Sequence, residues 1–226
     1  MDKDVLVEQL AYYKARAREY DESLQGFFPF NEPIPGQEQA NQEWMHIVRS
    51  LHALGPVNET LELACGTGIW TQELLTISQS ITALDGSPEM IEINRIKTGK
   101  AAIDYQCVDL FQWVPQKQYD LVFFSFWLSH IPHAHLSDFL GKVARATKPG
   151  GHVFMVDEPR SRRNISGPNL DGQYQQRTLK NGQTFRIVKV YYDPQEIEQE
   201  LLKQGFKKDS AMIGGSFFYL CASNQT

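Results

Sequence analysis

The feature that most restricts the fold is a regular alternation of strand and helix signals between residues 57 and 157. Apolar runs of strand length are separated there by segments with helical periodicity or helix caps. Such alternation predicts parallel strands joined by right-handed crossovers, with helices on both faces of the sheet. The predicted strands are 57–64, 80–84, 103–108, 119–126 and 152–157, and the predicted helices are 68–78, 88–98 and 136–147.

The flanking segments follow other patterns. Helical periodicity returns at 5–22 and 38–53, on either side of a loop rich in Phe and Pro. After a turn at 148–151 and the strand that follows it, a polar stretch leads into a hairpin around Asn181-Gly182, a type I′ turn signal. A helix at 194–204 and strands at 209–213 and 216–222 would close the sheet. We expect one domain over 1–226, with N-terminal lid helices in 1–54 and a substrate-side insertion with a hairpin at 160–192.

The composition narrows the classes of partner. The chain has 226 residues, of which 42% are hydrophobic, and a formal net charge of −5, so general affinity for nucleic acid is not expected. No apolar stretch is long enough to span a membrane, and the N-terminus does not resemble a signal peptide. Three separated cysteines without metal spacing suit a reducing compartment, so we expect a cytoplasmic protein. The basic cluster Arg160, Arg162 and Arg163 is predicted to be a solvated loop.

Two signals at strand ends predict an adenosine-containing cofactor. The turn Glu62-Leu63-Ala64-Cys65-Gly66-Thr67-Gly68 joins a strand to a helix, where small residues and free N–H groups allow a ligand to approach. Asp85 ends the next strand, where a carboxylate can accept both ribose hydroxyls. Nicotinamide enzymes use the same device, but Thr71 stands where their fingerprint has its third small residue. A nicotinamide oxidoreductase is therefore the least favoured alternative.

The next two strands also end in polar or aromatic residues. Asp109 follows the third strand and is suited either to adenine recognition or to capping a turn. The segment Phe124-Ser125-Phe126-Trp127-Leu128-Ser129-His130 closes the central strand at the same edge. Because a free imidazole titrates near neutrality, His130 is a candidate base or a group that orients a substrate. A metal site at His133 and His135 is not expected, because no carboxylate or cysteine accompanies them at ligand spacing.

Together these strand ends resemble the class I S-adenosylmethionine-dependent methyltransferases, although Ala64 stands where their first motif usually has Gly. The resemblance implies a doubly wound, Rossmann-like, mostly parallel seven-stranded sheet with an antiparallel last strand. It also implies S-adenosyl-L-methionine as cofactor and S-adenosyl-L-homocysteine as product. The implied cofactor-binding residues are Tyr13, Arg16, Glu62, Ala64, Gly66, Gly68, Trp70, Asp85, Gly86, Ser87, Met90, Asp109, Leu110, Phe111 and Phe126.

More narrowly, the chain is similar to the phosphonate O-methyltransferases of dehydrophos biosynthesis, above all in Arg177-Thr178-Leu179 and Phe185-Arg186-Ile187-Val188-Lys189-Val190. This resemblance implies O-methylation of a small acidic acceptor, with Arg177 and Lys189 as an anion clamp. Methyl transfer to N or C of another small molecule, or to protein or RNA, stays an alternative. The expected substrate-binding residues are Tyr20, Phe28, Trp127, Arg177 and Lys189, with His130 as the catalytic residue.

Overall fold

The structure is a computed structural model that describes residues 3–24, 37–99, 102–164, 169–170 and 172–226. The predicted loop at 26–36, including Phe28, lies outside these residues. The strands are β1 Val57–Leu63, β2 Ser78–Asp85, β3 Ile103–Cys107, β4 Tyr119–Ser125, β5 Thr147–Asp157, β6 Asn169–Leu170, β7 Tyr174–Thr178, β8 Thr184–Val188, β9 Phe206–Ile213 and β10 Phe218–Asn224. The helices are α1 Lys3–Arg16, α2 Glu38–His52, α3 Ile69–Leu75, α4 Pro88–Thr98, α5 His133–Ala146 and α6 Pro194–Lys203.

Seven strands form one sheet in the order β3-β2-β1-β4-β5-β10-β9. Strands β1 to β5 pair in parallel, and β10 is antiparallel to both of its neighbours. This topology confirms the predicted doubly wound sheet with an antiparallel last strand. The strand order reverses between β1 and β4, which is where ligands bind in open α/β sheets, beyond the carboxyl ends of the strands.

The two faces of β4 show why helices cover both sides of the sheet. Successive side chains of a strand point to opposite faces, and all of those from Leu121 to Phe124 are buried. Leu121 and Phe123 pack in a cluster with Trp44 of α2 and Trp70 of α3. Val122 and Phe124 belong to a second cluster, built with residues of α5 and α6.

Three local predictions are corrected. The predicted helix at 5–22 ends at Arg16, and the chain continues in short 3₁₀ helices, Ala17–Glu19 and Asp21–Leu24. The hairpin is present, but its turn is not type I′, which requires positive φ at both central residues. Of the two central residues, Gly182 alone has a positive φ, 84°. Its N–H donates to Leu179 O in a longer loop. The predicted turn at 148–151 lies within β5, where the pairing with β4 shifts register.

In the described part of the chain, no helix is long and apolar enough to cross a bilayer.

Candidate functional site

A cavity opens at the carboxyl edge of the sheet, between the ends of β1 to β4 and the helix α1. About 990 Å³ there is free of protein atoms, including space open to solvent. The lining is mainly apolar and aromatic, with a few polar groups. It comprises Leu6, Val7, Gln9, Leu10, Tyr13, Tyr20, Ala64, Gly66, Asp85, Gly86, Met90, Asp109, Leu110, Phe111, Ser125, Phe126, Trp127 and His130.

Asp85 stands at the end of β2 with both carboxylate oxygens positioned by backbone donors. Gly66 N donates to Oδ2 at 2.9 Å, and Ser87 N donates to Oδ1 at 2.8 Å. Burial raises the pKa of Asp85 to about 6, although these backbone hydrogen bonds oppose the shift. At neutral pH the carboxylate is therefore mostly ionised. Each oxygen keeps a further lone pair, so Asp85 is equipped to accept two ligand hydroxyls.

Glu62, near the end of β1, is not part of the cavity lining. It is 2% exposed and accepts a hydrogen bond from Thr71 Oγ1 at 2.6 Å. Thr71 Oγ1 in turn accepts from Asn94 Nδ2 at 2.8 Å. Burial, with a smaller contribution from Asp85, raises the pKa of Glu62 to about 8. The carboxyl group thus lies in the layer that supports α3 and α4, and its contact with a cofactor stays a prediction.

The turn after β1 combines close approach to the cavity with tight packing behind it. Ala64 and Gly66 line the cavity with φ values of 54° and 52°. Gly68 does not line it, but a Cβ there would lie 2.5 Å from Asn94 Oδ1, so the position requires glycine for packing. Among the described residues other than glycine, positive φ occurs only at Ala64 and at Phe126, another lining residue. Backbone strain of this kind is typical of functional sites.

Most of the remaining predicted cofactor residues line the cavity. Gly86, Met90, Leu110, Phe111 and Phe126 line the cavity, and so does Asp109. Asp109 also organises its own turn, because it accepts hydrogen bonds from Phe111 N and Gln112 Nε2, both at 2.9 Å.

Two predicted residues face the protein interior. Ser87 caps α4 by accepting from Met90 N at 3.3 Å. Trp70 is packed against Trp44, with a ring-centroid distance of 4.5 Å. Neither residue is part of the cavity lining, so their contact with a cofactor stays a prediction.

A tyrosine and a histidine meet on the other side of the cavity. Val188 O accepts from His130 Nδ1 at 2.7 Å, so Nδ1 carries the proton and Nε2 has a lone pair. The Tyr13 hydroxyl lies 2.5 Å from Nε2 and donates to it. Burial, together with the charge of Lys189, keeps the pKa of His130 well below its usual value. The imidazole is therefore neutral at pH 7.

Three basic residues surround this pair. Arg177 and Arg16 act on the charge of both Tyr13 and His130, opposing the burial that raises the pKa of Tyr13. The Arg16 guanidinium lies 5.1 Å from the ring centroid of Tyr20, outside the cavity lining. Arg177 pairs with Phe185 across the hairpin. Lys189 follows the end of β8, and its backbone N–H donates to Gln173 O.

Lys189 is 5% exposed and lies outside the cavity lining. Its Nζ donates to Glu158 Oε2 at 2.7 Å and to Ser129 Oγ at 3.1 Å. The predicted clamp residue therefore has an internal partner at the end of β5. Of the other predicted substrate residues, Tyr20 and Trp127 line the cavity.

Sequence reasoning missed part of the lining. Leu6, Gln9 and Leu10 precede Tyr13 by seven, four and three residues, so helical spacing is the signal that could have found them, whereas Val7 does not have such a spacing. Gln9 also accepts a hydrogen bond from Val188 N at 3.0 Å, which fixes α1 against β8. Ser125, at the end of β4, had no separate signal. In the described residues, no group of three His, Cys, Asp or Glu is arranged to hold a metal ion.

Comparison with known proteins points in one direction. A family model described as a methyltransferase domain matches residues 60–151. A solved DhpI-SAH complex is 32% identical, with each chain covered over 100% of its length and a TM-score of 0.81. A DhpI-SAM-HEP complex is 35% identical, with 96% of this chain and 97% of that chain covered and a TM-score of 0.79.

Curated relatives match over shorter stretches. Nodulation protein S of Rhizobium tropici is 30% identical over 45% of this chain and 43% of its own length. The ubiquinone biosynthesis O-methyltransferase of Bradyrhizobium sp. (strain ORS 278) is 23% identical over 74% of this chain and 64% of its own length. The chain thus matches less than two thirds of the length of each of these two relatives.

Proposed function

The chain belongs to the class I S-adenosylmethionine-dependent methyltransferases, and we propose that it methylates an oxygen of a small anionic acceptor. The observation that carries the proposal is the positive surroundings of the Tyr13–His130 pair. Arg16, Arg177 and Lys189 all bias the charge states there. Such surroundings favour a carboxylate or phosphonate over a cationic amine.

We place the cofactor along the carboxyl ends of β1 to β3. In this arrangement Asp85 accepts the ribose hydroxyls, and Asp109 with Leu110 and Phe111 holds the adenine. The turn at Ala64 and Gly66 lies against the amino-acid part of the cofactor, with Arg16 as the donor to its carboxylate. The support for this placement is that the carboxylates of Asp85 and Asp109 line one continuous cavity.

The protein's contribution to the chemistry is alignment and exclusion of water. Bound S-adenosylmethionine supplies an already activated methyl group. Tyr13, Tyr20 and Trp127 would enclose the acceptor and hold one of its oxygens in line with the bond that breaks. Because the acceptor oxygen is already an anion, no proton has to be removed before it attacks.

His130 fits an orienting role in such a reaction. Its Nδ1 is committed to Val188 O, and its Nε2 holds the Tyr13 hydroxyl. Protonation would place a buried positive charge near Lys189, Arg177 and Arg16, which burial and like charge both disfavour. His130 therefore fixes the direction of the Tyr13 hydroxyl at the reacting end of the cavity.

Arg177 is our candidate for the acceptor's anionic group, because its charge acts on both Tyr13 and His130, which line the cavity. Lys189 is already bound by Glu158, so its contact with an acceptor would require exchange of that partner. The resemblance of the hairpin to phosphonate O-methyltransferases supports an anionic acceptor, and the solved DhpI-SAM-HEP complex is 35% identical to this chain. The chain is also 30% identical to nodulation protein S, whose Bradyrhizobium counterpart is an N-methyltransferase. Amines are therefore the acceptors with which acids should be compared.

A panel of acceptors tests the proposal. Carboxylates and phosphonates of two to four carbons and matched primary amines are each incubated with S-adenosylmethionine, and S-adenosylhomocysteine formation is measured. We expect turnover with the acids, and in Arg177→Ala a KM for the acid raised about tenfold, equal to about 1.4 kcal/mol. The control is Arg186→Ala on the other face of the hairpin. Preferred turnover of amines, or an unchanged KM in Arg177→Ala, would overturn the proposal.

A further inference from the structure

The segment after α1 carries Tyr20 into the cavity, and its next residue contacts the cofactor turn. Thr67 Oγ1 donates to Asp21 Oδ1 at 2.5 Å. Thr67 is 1% exposed and lies between Gly66, which lines the cavity, and Gly68, which packs on Asn94. Asp21 thus joins the tyrosine-bearing segment to the turn that approaches the ligand.

Asp21 has a second partner on α4. Its Oδ2 forms an ion pair with Lys97 Nζ, whose side chain is 25% exposed. The same carboxylate therefore bridges the cofactor turn and α4, the helix that follows Asp85. An ion pair whose carboxylate also accepts a hydrogen bond from a buried hydroxyl is stronger than an isolated surface ion pair.

The neighbouring acid makes a contact of a different kind. Glu22 pairs with Lys180 at the tip of the hairpin, and both side chains are well exposed, 47% and 68%. Farther toward the N-terminus, α1 is anchored to β8 through Gln9 and the N–H of Val188. Asp21 thus ties the chain from Arg16 to Leu24 to the cofactor turn and to α4 through its side chain, and the 3₁₀ helix Ala17–Glu19 also packs against α4.

We propose that Asp21 is a positioning residue that latches the Tyr13–Tyr20 segment onto the cofactor turn and so retains the bound nucleoside. Tyr13, Tyr20 and Asp85 line the same cavity, so the two rings lie beside a ligand that Asp85 holds. Releasing Asp21 frees this segment from Thr67 and Lys97 without touching the ligand's own contacts. The inference rests on the proposed cofactor placement and is independent of the acceptor.

The test is the rate of S-adenosylhomocysteine dissociation from the full chain, measured by stopped-flow tyrosine and tryptophan fluorescence. Asp21→Ala should raise the dissociation rate about tenfold and leave the association rate within about twofold. Asp21→Asn keeps an oxygen for Thr67 but loses the ion pair with Lys97, so it should recover only part of the loss. Glu22→Ala is the matched control, because its exposed ion pair contributes little.

Three results would separate the possibilities. Equal dissociation rates in Asp21→Ala and Glu22→Ala would overturn the latch. A lowered melting temperature in Asp21→Ala with an unchanged dissociation rate would also overturn it, since a structural role alone predicts that outcome. If the unsubstituted protein fails to bind S-adenosylhomocysteine, the cofactor placement is wrong and the latch falls with it.

Discussion

The two sides of the cavity are built in different ways. On the cofactor side, Asp85 ends β2 and Asp109 lies two residues beyond β3, and their oxygens are oriented by N–H groups or amides within 19 residues along the chain. On the acceptor side, Tyr13 meets His130 across 117 residues, and His130 meets Val188 across 58. One side is an edge of the sheet, whereas the other is assembled from a helix, a strand end and a hairpin.

The difference has a chemical counterpart. The cofactor side presents carboxylates and glycine-type turns that suit ribose hydroxyls and a close backbone approach. The acceptor side presents tyrosines, a neutral imidazole and nearby basic groups. The same sheet edge can serve enzymes with different methyl acceptors. The residues that select the acceptor lie in segments whose conformation the sheet does not fix.

The largest expected effect tests the cofactor side alone. Asp85→Ala should weaken S-adenosylhomocysteine binding by more than about 100-fold, because hydrogen bonds to a charged group contribute about 1.5–3 kcal/mol each. Titration calorimetry measures the change. Asp104→Ala, an exposed carboxylate of β3 that contacts Gln106, should bind normally. Similar affinities of the two variants would remove Asp85 from the site.

The second prediction tests the acceptor side alone. His130→Ala should lower kcat about 30-fold, because the Tyr13 hydroxyl loses its acceptor, and should change the S-adenosylhomocysteine affinity less than about threefold. His133→Ala, an exposed neighbour at the start of α5, is the control. An equal loss of cofactor affinity would show that the two sides are not separate. A loss of kcat well above 100-fold, together with an acid limb in the pH–rate profile of the unsubstituted protein, would instead indicate that His130 is a general base.

The smallest effect concerns the layer beneath the cofactor side. The pKa of Glu62 is raised from 4.5 to about 8, so the folded state keeps a proton that the unfolded state has already released. Stability of the ligand-free protein should therefore fall as pH rises from about 6.5 to 8, by up to about 2 kcal/mol. Urea unfolding of Glu62→Gln should show a flatter dependence in this window.

Glu59→Gln on the same strand is the control for that measurement. The pKa of Glu59 is lowered by hydrogen bonds from Lys117 and Lys148, so this carboxyl group is ionised in both states above pH 6.5. Removing it should leave the pH dependence unchanged. A slope that is equally flat in both variants would show that Glu62 is not the buried acid responsible.

Prediction from the sequence succeeded where local pattern and topology suffice. The alternation of strand and helix signals led to the observed parallel order, and Asp85 and Asp109 line the cavity as expected. It did not show that Glu62, Trp70 and Ser87 contact protein neighbours in the layer behind the turn, and their contact with a cofactor stays a prediction. Side-chain direction at the end of a strand depends on neighbours from α3 and α4, which no single segment specifies.

The sequence by itself determined the sheet, the edge at which ligands bind and the acids that stand there, because periodicity and parallel connections are properties of short stretches of chain. Only the tertiary structure decided that Tyr13 donates to His130, that Glu158 holds Lys189 and that Asp21 reaches Thr67. Each of these contacts joins segments at least 31 residues apart. Their geometry follows from how the helix and hairpin pack over the sheet, which burial of the whole core sets.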